Sequence, residues 1–130
     1  GHPLAPAIDV GQVEGGFVQG MGWLTCEEVL YSDEGRLLTP GPSTYKIPAV
    51  GDVPQSLNVN LLANAPNNRV IGGSKAVGEP PFLLAISVVT ALRDAIKAYS
   101  KACKPVALTL PATPEAVLRG ITHQKGESLD

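Results

Sequence analysis

Between Ile8 and Tyr31 the chain reads IDVGQVEGGFVQGMGWLTCEEVLY, a helical apolar period carrying five glycines. Val10, Val13, Phe17, Met21 and Leu24 step at three and four along one stripe, with Glu28 next in the series, which is the spacing of an amphipathic helix. Asp9, followed three residues on by Gln12, has the spacing of a capping box and predicts a helix starting at Asp9. A glycine inside a helix costs about 1 kcal/mol relative to alanine. Gly11, Gly15, Gly16, Gly20 and Gly22 together would therefore melt this helix in isolation, so something must lie against it. Glycine lets another backbone or a flat ligand come closer than any side chain allows. Pattern alone leaves two occupants open: a tightly packed helix, or a cofactor with the Gln12 amide donating and accepting at its edge.

The rest of the chain bounds the choice. With 130 residues, 44% hydrophobic and 17% charged, net charge −2, it has the size of one core, and a domain this long buries roughly 65 to 70% of its unfolded surface. There is no basic field to hold nucleic acid. The longest apolar stretch, Phe82 to Leu92, is interrupted by Ser87 and Thr90 and falls short of the ~20 residues of a bilayer span, so neither nucleic acid nor membrane is an expected partner. Cys26 and Cys103 have no C-x-x-C or His companion and read as reduced, buried thiols of a cytoplasmic protein; a metal site is not expected. Gly1-His2-Pro3 opens without methionine, so residues 1–4 are read as a tag scar or linker, or as the cut end of a longer chain.

Further along, SDEGR predicts the turn of a hairpin. Four prolines among residues 39–54 exclude a helix or a central strand there. Leu57, Val59 and Leu61 alternate with Asn58 and Asn60, the period of a half-buried strand, and Val106 to Leu110 reads as another. Residues 82–99 predict a long helix, and Thr113-Pro114 caps a shorter one that Gly120 should end. This order predicts an α+β fold, a small mixed sheet packed with two long helices, over residues 5–122, with 123–130 as a flexible tail.

The stretch GGSKAVGEPP, residues 72–81, places one carboxylate between glycines and a proline pair at the mouth of the long helix. Prolines are tolerated in a first helical turn, so Glu79 falls at or near the N-cap, where the helix dipole favours its charge and burial would oppose it. A carboxylate held between those effects suits a general base. On pattern alone a capping role for Glu79 is the better supported reading. The glycines would let backbone N–H groups face a ligand, although lysine and serine stand in the wrong order for a Walker loop.

Three strings, GQVEGGFVQGMG (11–22), GPSTYKIP (41–48) and GGSKAVGEPP (72–81), resemble the C-terminal part of the molybdenum-binding portion of the xanthine dehydrogenases, in the xanthine oxidase family of molybdenum hydroxylases. The likeness runs over roughly residues 5–115, with the strings in the family's order and spacing. It implies a fragment of a molybdenum cofactor-binding domain in an enzyme that hydroxylates purines, hypoxanthine and xanthine to urate. Glu79 would be the general base, taking a proton from the attacking oxygen while molybdenum accepts two electrons. Gln12 would lie beside the molybdopterin, and Gly73, Ser74, Lys75, Ala76, Val77 and Gly78 would pass near it.

The resemblance also implies what the chain does without. The family's molybdenum subunit is several times longer, and its iron–sulfur clusters and FAD lie on other segments or subunits. The expectation is a chain that carries the base but cannot by itself turn over. Its partners would be the remainder of the molybdenum subunit, the iron–sulfur/FAD subunit and a purine, with self-association of the fragment through exposed apolar patches. An aldehyde oxidase-type enzyme, or a non-catalytic assembly module of the same shape, are the alternatives.

Overall fold

In the computed structural model, which describes residues 1–101 and 104–127, the glycine-bearing helix α1 spans Pro6–Thr25. It begins a turn earlier than Asp9 because Pro6, with its φ preset for a helix, takes the first helical position after Ala5. Asp9 sits in the first turn and caps nothing. The capping box is thereby corrected, and the Gln12 side chain has no role at the helix end.

The long apolar stretch forms two helices, α2 over Glu79–Leu84 and α3 over Ile86–Ser100, with a break at Ala85. Pro80 and Pro81 occupy the first turn of α2 as expected. The break seats Ala85, wholly buried, beneath α1: a Cβ on Gly20 would lie 2.8 Å from that of Ala85 and would strike the Phe82 carbonyl oxygen. Gly16 lies similarly against Pro81, 3.2 Å from its Cβ. Helix packing thus accounts for Gly16 and Gly20. Gly22 is needed for a different neighbour, since a side chain there would strike Pro48 and the Glu27 carboxylate.

A fourth helix, α4, covers Pro114–Lys125. Thr113 is its N-cap, its hydroxyl accepting from the Ala116 N–H at 3.2 Å. Gly120 does not end it. That glycine is buried inside the helix, where a Cβ would lie 3.3 Å from both the Ala107 carbonyl oxygen and Ile96, and the stop comes at Gly126 in a left-handed conformation. Residues 128–130 of the expected tail, like Cys103, lie outside the described residues. The Cys26 thiol is half-buried, and burial pushes its pKa up from the usual cysteine value.

No strand or sheet forms among the described residues, and the α+β expectation is corrected to a helical architecture. The SDEGR turn exists, with Ser32 N–H donating to Arg36 O at 2.9 Å, but it closes a single antiparallel bridge between Tyr31 and Leu37. Leu57 and Val59 are half-buried and Asn58 and Asn60 exposed, but Leu61 is exposed as well, so the alternation holds only at its start. Alternation records which side of an extended segment is covered, whereas a strand also needs a hydrogen-bonding neighbour, and this segment lacks one. In the second expected strand Leu108 is buried against Leu24, Ala112 and the α3 residues Val89 and Ile96, so it serves the helices.

That cluster is the core, and it is small. The chain exposes 9580 Å², whereas a compact monomer of 13.5 kDa exposes about 6,500 Å². Apolar side chains remain outside, among them Trp23, Leu83, Leu84 and Ile86. Among the described residues no helix is long and apolar enough to cross a membrane.

Candidate functional site

The packing that consumes Gly16 and Gly20 leaves Gly11 and Gly15 free, since nothing lies within 4 Å of where their Cβ atoms would be. They open onto a cleft of about 740 Å³ between α1 and α2. From α1 the cleft receives Gln12 and Gln19, and from the other side Gly78, Glu79, Phe82 and Leu83. The structure therefore brings together Gln12 and Glu79, far apart in sequence, on one concave surface. It does so because α1 and α2 close on each other at glycines: Gly16 against Gly78 and Pro81, then Gly20 against Phe82 and Ala85.

Glu79 is the first residue of α2 and its side chain is exposed. The enclosure that would oppose its charge is not supplied by the described residues. Nor is a long dipole, because α2 ends after six residues. What this chain fixes is the position of the carboxylate. Phe82, one turn later, is held by Trp23 with ring centroids 5.5 Å apart.

The remaining loop residues separate. Gly78 belongs to this cleft, while Ser74, Lys75 and Val77 line a second one of about 770 Å³ beside the N-terminal residues and Leu61–Pro66. Ala76 lines neither. Gly73 is engaged with its own chain: its carbonyl accepts from the His2 N–H at 2.7 Å and its N–H donates to Val70 O at 3.1 Å. The Asn67 side chain donates to Ser74 O at 3.0 Å. Gly72 and Gly73 both adopt left-handed φ, +73° and +67°, which explains the glycine pair by turn geometry. Gly72 and Gly73 thus form a structural turn, Ser74, Lys75 and Val77 face the second cleft, and of residues 73–78 Gly78 lines the Gln12–Glu79 cleft.

Sequence reasoning missed Gln19, Phe82 and Leu83 as cleft residues. Gln19 had a usable signal: it follows Gln12 by two helical turns and so shares its face. Phe82 and Leu83 read only as members of an apolar helix.

The cleft suits a flat polar organic group. Its α1 wall has three positions without side chains, Gly11, Gly15 and Gly16, alongside two primary amides. Among the described residues there is no cluster of three His, Cys, Asp or Glu that could hold a metal ion.

Residues 1–54 match the family model of the molybdopterin cofactor-binding domain, a match that includes Gln12 and stops before Glu79. The chain is 52% identical over 130 residues to xanthine dehydrogenase/oxidase of Mus musculus, covering 95% of this chain and 10% of that protein. Among solved structures, quinoline 2-oxidoreductase from Pseudomonas putida 86 superposes with a TM-score of 0.78 at 35% identity, over 95% of this chain and 15% of that one. A Cu,Mo-CO dehydrogenase shares the fold, with a TM-score of 0.70 at 22% identity over 99% of this chain and 16% of that one. The chain spans about a tenth of the length of the curated relatives it matches.

Proposed function

The chain belongs to the xanthine dehydrogenase family as a molybdopterin-binding segment, and from that premise we propose that it forms one wall of a purine-hydroxylating centre with Glu79 as the general base. The observation that carries this reading is the meeting of Gln12 and Glu79 on the α1–α2 cleft, beside glycines that no packing within the described residues requires. Glu79 takes the proton from the oxygen that attacks an electron-poor ring carbon. Gln12 holds the cofactor's edge by donating and accepting at its amide. When bound, the molybdenum cofactor supplies the acceptor for the two electrons that leave the hydroxylated carbon. The name of the quinoline enzyme supports a nitrogen heterocycle as substrate.

The exposed Glu79 and the large accessible surface fit a segment completed by others. Leu84 and Ile86 are faces that the remainder of the molybdenum subunit would cover. Iron–sulfur clusters and FAD on other segments would carry the electrons onward in a cytoplasmic enzyme. The 130-residue chain alone would then hydroxylate no purine, because its base stands in water and only one wall of the site is its own.

The test is Glu79→Gln in a full-length enzyme carrying this segment. Loss of a positioned base lowers kcat by about 10²- to 10⁴-fold, with molybdenum content per chain retained. A variant that keeps the parent rate would remove Glu79 from the mechanism. Steady turnover of xanthine by the 130-residue chain alone would overturn the one-wall reading.

A further inference from the structure

The packing contacts between α1 and α2 give the cleft a register. Gly16 meets Gly78 and Pro81, and Gly20 meets Phe82 and Ala85, so advancing along α1 is advancing along α2. Glu79 therefore falls beside the part of α1 that lies between Gln12 and Gln19. These two amides point along one face, separated by about 10 Å of helix. Both line the cleft, and neither side chain is engaged in a hydrogen bond among the described residues. At the Gln19 end the opposite wall is apolar, formed by Phe82 and Leu83.

We propose that Gln19 is a specificity-determining residue that orients the polar edge of the substrate, while Gln12 serves the cofactor on the other side of Glu79. This rests on the assignment of Glu79 as base. A proton acceptor stands between the two reacting partners, so if one amide faces the cofactor, the amide beyond the carboxylate faces the substrate. A primary amide donates and accepts side by side, which complements a lactam, the N–H and C=O pair of a hydroxylated purine ring. Phe82 and Leu83 supply an apolar wall for the ring itself. An aldehyde can only accept from this amide, whereas a lactam both accepts and donates, so Gln19 favours lactam heterocycles.

The experiment is Gln19→Leu in a full-length enzyme, compared with Glu79→Gln. Xanthine, a lactam, and quinazoline, whose ring has no N–H, are the probes, read by steady-state kinetics, by equilibrium binding calorimetry and by molybdenum content. Loss of the paired hydrogen bonds predicts a rise of roughly five- to hundredfold in both KM and Kd for xanthine. The change for quinazoline should be smaller by about threefold or more, with kcat moving less than KM and molybdenum content held. Equal weakening of both probes, loss of molybdenum, or unchanged xanthine binding each overturns the proposal. Glu79→Gln reports separately: it should lower kcat on both probes with Kd held, and its failure condemns the base assignment whatever Gln19→Leu does.

Discussion

The two kinds of glycine on α1 make opposite predictions for the same substitution. Gly15→Ala places a methyl group where nothing lies within 4 Å. It removes only the helical cost of glycine, so it should stabilise the chain by about 1 kcal/mol. Gly20→Ala gains the same propensity but drives its methyl into the Phe82 carbonyl oxygen and to 2.8 Å from the Ala85 Cβ. Neither obstacle is the tip of a flexible side chain. Both belong to backbone or to a Cβ, so α2 must move away and the buried Ala85 with it. Overpacking of this kind costs about 1–3 kcal/mol, and with a rigid obstacle the upper end applies. A net loss of about 2 kcal/mol remains after the ~1 kcal/mol of propensity, roughly a thirtyfold shift in the folding equilibrium. Urea titration of the 130-residue chain, followed by far-ultraviolet circular dichroism, reads both variants against the parent. Midpoints that move in the same direction would refute the division of α1 into a packing face and an open face.

Two further outcomes follow from local contacts. Thr113→Ala leaves the Ala116 N–H without its 3.2 Å acceptor and should destabilise the chain by about 1 kcal/mol, visible as a lower urea midpoint. The Tyr45 hydroxyl donates to the Glu27 carboxylate at 2.6 Å, and this bond holds the phenol above its ordinary pKa. The contribution of that bond is complete below about pH 10 and is lost as pH rises through the higher folded value. Phenolate absorbance should show one of the three tyrosines ionising late, and Glu27→Ala should bring it back toward about pH 10.

The GPSTYKIP string has its structural meaning in that contact. Tyr45 reaches Glu27 just beyond α1, and Pro48 fills the space that Gly22 leaves, so the proline-rich meander is fastened to the C-terminal end of α1. The four prolines predict no helix or central strand there, and the segment forms neither an α-helix nor a strand, only one 3-10 turn at Val50–Asp52. Which element the meander would lie against was not in the string.

What the sequence determined by itself is what depends on near neighbours. The apolar period of α1, the prolines at the start of α2 and the Thr113 cap were legible because helical bonds and caps join residues three or four apart. The same locality misled at Gly120, where a glycine that looked like a stop is a contact surface for Ile96. Tertiary structure alone decided everything that needs a distant partner. It withheld a pairing strand from Leu57–Leu61, broke the long helix at the buried Ala85, and divided the loop so that Gly78 lines the first cleft and Ser74, Lys75 and Val77 the second. It also sorted five identical glycines into those that admit a neighbouring helix or loop and those that face open space, a distinction no residue type carries. Gln12 and Glu79 were each conspicuous alone. Only the close approach of α1 and α2 at Gly16 and Gly20 put them on one surface with Gln19 beyond them.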